Sequence, residues 1–337
     1  MLDQAYKISI LKPFKPVIDA ADAFFFGTDR ITDSSPHILD NIDIKRYMSV
    51  VIVALLPAAL ASLYFFGIKA LSLIAVSYIF GGTVEVVFSV VRKKEINEGF
   101  LVTGLIFPLL LPPSTPLWIA AVGIVFGVFF GKEVFGGTGK NLFNPALVGR
   151  LFITIAFPSV MTSSWIHPLT DAVTSATPLT VFKTSGEITP GLSLLFGGQP
   201  GSMGETFRIG IVLGGIFLMY TRVSSWRVPV MYLGSVFILS LAGNMFVPAN
   251  IAPPLFQLLS GGLLYGAFFM ATDPVTSPFT NAGKMIFGAG CGFFTVLIRG
   301  FSGFVEGVMF SIILMNALAP LIDHYVLQIK YKPMIKR

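Results

Sequence analysis

The feature that most constrains this chain is the length and continuity of its apolar runs. The stretch from Tyr47 to Phe66 carries no charged residue, and comparable runs recur to within fifteen residues of the end. A helix needs roughly 20 such residues to cross a bilayer. Backbone satisfaction in lipid allows only helices or a closed barrel. Uninterrupted rather than alternating apolar residues select helices. Only 12% of residues are charged, against about 25% in a soluble domain, and the mean hydropathy is +0.80. The chain therefore reads as an all-α integral membrane protein, and its 34 glycines suit close helix packing in lipid.

Ten helices are predicted, over residues 47–66, 70–91, 99–111, 116–131, 142–158, 207–222, 229–246, 252–272, 284–300 and 303–322. Pro108 interrupts the third, and Pro112-Pro113 end it. Basic residues set the orientation. With the N-terminus in the cytoplasm, Arg92, Lys93, Lys94, Lys132, Lys140, Arg222, Arg227, Lys284, Lys330, Lys332, Lys336 and Arg337 all fall on the cytoplasmic side. Lys69, Lys183, Arg208 and Arg299 fall outside or near the outer ends. Both termini are then cytoplasmic, and residues 159–206 lie outside. A weak internal echo pairs residues 99–116 with 262–278, and Asn144-Pro145-Ala146-Leu147 with residues 316–320. The expected organisation is a cytoplasmic segment (1–46), two five-helix repeats (47–158 and 207–322) around an extracytoplasmic loop (159–206), and a cytoplasmic tail (323–337). No signal peptide is expected, because the first spanning run follows Arg46 behind a polar segment.

The net charge of +6 does not indicate nucleic acid, since basic residues flank the apolar runs instead of clustering with aromatics. Cys291 is alone, so it cannot make an internal disulfide and cannot by itself hold zinc or an iron–sulfur cluster. His37, His167 and His324 have no metal-ligand spacing.

Several motifs carry chemistry. The longest polar interval holds Asp171, Thr174, Ser175 and Thr177, with Pro178 after the last threonine. A residue before proline avoids the helical region, so the Thr177 hydroxyl is presented on extended backbone. Residues 131–147 form a glycine-rich turn entering a helix, with Asn141 and Asn144 three apart, a spacing expected to put both amides on one helix face. Gly81, Gly82 and Glu85 place an ionisable group beside two glycines at membrane depth, a functional candidate by default. Glycines there let a flat group approach the backbone. Asp273, Asp323 and the deeper Glu306 offer oxygen ligands of the kind a hard cation prefers. Gly201, Ser202 and Glu205 precede the sixth helix, where backbone amides favour a phosphate and Arg208 adds positive charge.

From about Ala20 to Asp323, these stretches together resemble the NqrB/RnfD family, membrane proteins of sodium-translocating NADH:quinone oxidoreductases and of Rnf complexes. The resemblance implies that Thr177 carries flavin mononucleotide (FMN) through a phosphoester. A flavin transferase would read Asp171 and Thr174, and Ser175 stands where the family usually has glycine. It further implies a non-covalent riboflavin at Asn141 and Asn144, a quinone site at Gly81, Gly82 and Glu85, and a sodium path involving Asp273 and Asp323. Residues Gly201, Ser202, Glu205 and Arg208 match a segment near the covalent flavin. The implied setting is a six-subunit complex in a bacterial inner membrane. NADH is then oxidised on a partner subunit, since no nicotinamide-binding glycine loop is present. Two alternatives stand beside this one. The first is an Rnf-type subunit serving ferredoxin and NAD, against which the long N-terminal segment argues. The second is a transporter or channel with two repeats and no flavin.

Overall fold

The computed structural model describes residues 44–93, 99–163, 165–168, 173–174, 176–197 and 199–335. Asp171 and Ser175 lie outside the described residues, as do most of the N-terminal segment and the last two residues.

Helix α1 (Ile44–Phe66) and helix α2 (Ile68–Arg92) meet at Gly67, whose φ of 56° few side chains tolerate. Helix α3 (Gly99–Leu109) is short and ends in a turn after Pro108. Helix α4 (Leu117–Val128) starts after Pro116 and runs into a π-helical turn (Phe129–Glu133). Helix α5 (Pro145–Ala156) begins at a proline in the first helical position, where no hydrogen bond is lost. Next come α6 (Pro158–Ser163), a two-stranded hairpin of β1 (Trp165–Ile166) and β2 (Val173–Thr174), α7 (Pro178–Ser185) and α8 (Gly191–Leu195). In the hairpin Trp165 pairs with Thr174 and Ile166 with Val173. A 3₁₀ turn (Met203–Glu205) leads into α9 (Arg208–Tyr220) and α10 (Arg227–Phe246). The remaining elements are α11 (Pro254–Leu259), α12 (Leu263–Tyr265) with its π-helical turn (Gly266–Met270), α13 (Asn281–Phe301) and α14 (Val308–Ile335).

Five of these helices are long and apolar enough to cross a membrane, the segments Tyr47–Phe66, Ile68–Arg92, Arg227–Phe246, Asn281–Phe301 and Val308–Lys332. The other predicted spans are shorter or broken. The run over 252–272 is three pieces, split by Gly261 at a φ of 61°. The last helix starts five residues later than expected, at Val308, and continues through most of the segment expected to be a tail. Among the described residues, the small hairpin is the one departure from the all-α reading.

Neighbours follow the same order in both halves. Helix α2 packs on α3 and α4, and α4 on α5; α10 packs on α11 and α13, and α13 on α14. The first helices of the halves, α1 and α9, pack on each other. Small residues set these crossings. A Cβ at Gly149 would sit 2.6 Å from the Gly123 carbonyl, so α4 and α5 touch backbone to backbone. Phe107, Ile124, Leu147, Ile153, Tyr232, Tyr265 and Phe287 are fully buried, while Tyr64, Ile68 and Phe246 project outward. Tyr232, Thr295 and Ser311 join α10, α13 and α14 in a buried ring of hydroxyls 2.7 to 3.1 Å apart.

Candidate functional site

Thr177 lies at the start of α7, with φ −79° and ψ 160°. This is the extended backbone expected before Pro178. Its Oγ1 accepts the Thr180 amide at 3.3 Å and shares a hydrogen bond with the Thr180 hydroxyl at 2.9 Å. It therefore caps the helix, placing its hydroxyl where α7 exposes free N–H groups. The side chain is half-buried on the wall of a cleft of about 180 Å³.

Four charged side chains share the lining with apolar residues. Arg150 comes from α5, Glu205 from the 3₁₀ turn, Arg208 from the start of α9 and Glu306 from the α13–α14 connection. Arg299 stands behind Glu306, with Nη2 on Glu306 Oε1 at 2.9 Å and on the Ser260 carbonyl at 3.1 Å. Its Nη1 donates to the carbonyl of Gln257 at 2.8 Å and to that residue's side chain at 3.0 Å. Glu306 also accepts from the backbone amides of Gly262, Gly307 and Val308. Gly261 and Gly262 make this possible, because a Cβ on either would strike the Glu306 or Glu205 carboxylate. Burial pushes the Glu306 carboxyl up, but Arg299 and Arg150 outweigh it and hold the group below its usual range. At Glu205 burial prevails over the pull of Arg150 and raises the carboxyl. Arg208 donates to the Leu194 carbonyl. Arg150 is 5% exposed, and its Nε has no hydrogen-bond partner among the described residues.

Of the residues expected here, Thr177, Glu205 and Arg208 line the cleft. Gly201 and Ser202 do not; Gly201 backs the Glu205 side chain, and Ser202 is fully buried. Thr174 is placed in β2, opposite Trp165, which does line the cleft. Sequence reasoning missed Arg150, although an arginine inside an apolar helix is the signal that singled out Glu85.

A second site gathers Asn141, Asn144, Lys132 and Asp273 with Tyr47 and Thr103 around a cavity of about 80 Å³. Asn141 does not lie on a helix, which corrects the expectation of two amides on one helix face. Asn144 instead caps α5, its Oδ1 accepting Ala146 N at 3.1 Å and Leu147 N at 3.4 Å. The proline after it holds it extended, so the helix starts one residue later. Asn141 Nδ2 donates to the Phe143 carbonyl at 3.1 Å. An adjoining cavity of about 400 Å³ shares Asn141 and Val275 and includes Asn316 and Asp323.

Asp273 sits on the first of these cavities and Asp323 on the second, and hydrogen bonds hold both carboxylates. Asp273 Oδ1 accepts Val275 N at 3.2 Å, and Oδ2 accepts the Thr276 hydroxyl at 3.1 Å. Asp323 is 5% exposed and accepts Phe279 N at 2.8 Å, Thr280 N at 3.1 Å and the Thr280 hydroxyl. Gly81, Gly82 and Glu85 all lie on α2. Gly81 is filled by Ile124 of α4, Gly82 lies near Phe100, and Glu85 is ion-paired to Lys132. Among the described residues, no group of three or more His, Cys, Asp or Glu is arranged to hold a metal ion.

Residues 31–332 match the model of the NQR2, RnfD, RnfE family. The chain is 37% identical to a Na(+)-translocating NADH-quinone reductase subunit of Ectopseudomonas mendocina, covering 95% of this chain and 93% of that one. It is 34% identical to the same subunit from Yersinia pestis, over 96% and 94%. The corresponding protein of Chromohalobacter salexigens is also 34% identical, over 96% and 92%. A match of this extent, spanning both sites, settles the assignment: the chain belongs to the NQR2, RnfD, RnfE family.

Proposed function

We propose that this chain is the membrane subunit of a sodium-translocating NADH:quinone reductase that carries FMN covalently at Thr177. The observation that carries the proposal is the Thr177 hydroxyl, held at a helix N-terminus on a cleft that buried guanidiniums also line. A phosphate fits both features: helix N-termini and arginines recognise oxyanions. The orphaned Arg150 Nε is a donor of the kind such a group would satisfy. When bound, FMN supplies a carrier that accepts and donates electrons. The chain's part is to tether it, orient it and balance its charge. Thr177 Oγ1 supplies the ester oxygen, Arg150 and Arg208 face the ligand, and Trp165, Leu179 and Met309 give the cleft apolar surface.

The second site suits a neutral ring, and we assign riboflavin to it. Asn144 Nδ2 and Asn141 Oδ1 make no hydrogen bond among the described residues and remain available to uncharged partners. Quinone is assigned to the Gly82–Glu85 side of α2, and the sodium path to the cavities that hold Asp273 and Asp323. The chain is a multi-pass protein of a bacterial inner membrane, with both termini cytoplasmic and residues 159–206 outside. Its ten helices form two five-helix repeats, a reading supported by the recurring order of helix neighbours. Partner subunits of a six-subunit complex oxidise NADH, and a flavin transferase reading Asp171 and Thr174 completes maturation.

Mass spectrometry of the denatured wild-type protein tests the central claim. One FMN on the peptide containing Thr177 is expected. An unmodified peptide rejects the covalent cofactor and favours a transporter without redox chemistry.

A further inference from the structure

The Thr177 cleft has a charge balance of its own. Among the described residues, Arg150, Arg208 and Arg299 stand against Glu205 and Glu306, which leaves one formal positive charge in excess. Lys183 does not enter this sum. It lies on the exposed side and donates to the carbonyls of Arg299, Ser302 and Phe304 at the end of α13, where a helix favours a cation. Arg299 and Glu306 satisfy each other at 2.9 Å. Arg208 is oriented by the Leu194 carbonyl. Arg150 is the guanidinium left over: it pulls on Glu205 and Glu306 from beyond 4.0 Å, but among the described residues it makes no direct ion pair or side-chain hydrogen bond, and its buried Nε, like those of Arg208 and Arg299, has no partner. A buried guanidinium whose N–H donors have no direct partner is costly and calls for one.

We infer that Arg150 is the counter-ion of a singly charged phosphate ester at Thr177, and that this charge match holds the ligand in the cleft. The inference rests on the covalent-flavin reading. Transfer of the flavin phosphate from a flavin dinucleotide donor to Thr177 Oγ1 breaks the donor's pyrophosphate bond, releases a nucleoside monophosphate and the hydroxyl proton, and leaves a phosphodiester with one negative charge, which brings the described part of the cleft to formal neutrality. Arg150 is thus a positioning residue for the cofactor, acting from α5 on a group tethered at α7.

The test is a cycle of four proteins: wild type, Thr177→Val, Arg150→Met and the double variant. Each is full length in lipid nanodiscs, with thermal unfolding followed by fluorescence and the adduct scored by mass spectrometry. With Arg150 present, losing the adduct strands the excess charge and the melting temperature falls. In Arg150→Met the adduct is itself unmatched, so adding Thr177→Val lowers the melting temperature less than it does with Arg150 present. The helix cap lost with Thr177 is lost in both backgrounds and cancels. Equal shifts in the two backgrounds overturn the inference, because a merely structural arginine gives additive effects. A second measurement needs no Arg150 variant. Orthophosphate added to Thr177→Val raises its melting temperature above that in sodium chloride of equal ionic strength, and no difference between the salts overturns the anion site. A wild-type chain without an adduct sinks the flavin reading alone, and the orthophosphate comparison then still decides whether the cleft takes an anion.

Discussion

Lys132 Nζ meets Glu85 Oε1 at 2.5 Å, with each side chain 4% exposed. The pair joins the π-helical turn after α4 to the middle of α2, and the next residue, Glu133, bonds Arg92 at 2.9 Å near the end of α2. Lys132 also lines the Asn141 cavity, so the carboxylate assigned to quinone and the amides assigned to riboflavin share one lysine. Removing one partner of a buried pair strands the other and costs about 3–5 kcal/mol. Glu85→Gln is therefore expected to lower the amount of folded protein in the membrane. Glu85→Gln with Lys132→Met should recover much of it, as read by thermal unfolding in nanodiscs. A single variant as stable as wild type would show that the pair is solvated.

The two glycines ahead of Glu85 should respond differently. A Cβ at Gly81 would lie 2.9 Å from Ile124 Cγ1, whereas one at Gly82 would meet Phe100 only at 3.7 Å. Gly81→Ala overpacks the α2–α4 crossing, at about 1–3 kcal/mol, while Gly82→Ala is tolerated. Gly82→Leu is thus the better probe of quinone. Quinone reduction should fall with flavin content intact, and unchanged kinetics and inhibitor sensitivity would move the quinone elsewhere.

Asp273 and Asp323 each spend oxygens on backbone or hydroxyl donors, so their substitution has two separable effects. Asp323→Asn loosens the entry to α13, at about 1–3 kcal/mol for the donors left unmatched, seen as a lower melting temperature. A role on the sodium path predicts in addition a weaker sodium stimulation of turnover in Asp273→Asn and Asp323→Asn. Stimulation identical to wild type in both would reduce the two carboxylates to loop anchors.

Topology is testable with cysteines in a Cys291→Ser background. Ser185→Cys, at the exposed end of α7, should react with an impermeant thiol reagent added outside. Lys93→Cys, at the end of α2, should not. The reverse pattern would invert the protein and put the Thr177 cleft in the cytoplasm.

Much of the fold was legible because local chemistry marks its boundaries. Gly67 and Pro116 bound helices where expected, and Thr177 takes the extended backbone expected before Pro178; the helix expected from residue 142 starts only at Pro145, and α7 lies in a stretch expected to be loop. What was not legible is pairing across the fold. Lys132 counts in the sequence as one of the basic residues that set orientation, yet its partner Glu85 lies 47 residues away. Arg299 looks like an outer-end charge until Glu306 and Gln257 are folded around it. Arg150 is hidden differently: one arginine in an apolar helix says that something must compensate it, but only the assembled cleft says where.

Thr177 carries two roles that one substitution removes together, and they can be told apart. As a helix cap it accepts the Thr180 amide, and replacing such a cap costs about 0.5–2 kcal/mol. As the proposed ester oxygen it is the attachment point itself. Thr177→Val keeps the shape and loses both. The protein should still reach the membrane, without flavin fluorescence on a denaturing gel and without electron flow to quinone. Thr177→Ser keeps the hydroxyl and the cap and should retain part of the modification. Thr180 shares the hydrogen bond and lines the same cleft, so it is the nearest competing hydroxyl. Fluorescence that persists in Thr177→Val and disappears only when Thr180→Val is added would assign the ester to Thr180, one helical turn along the same wall.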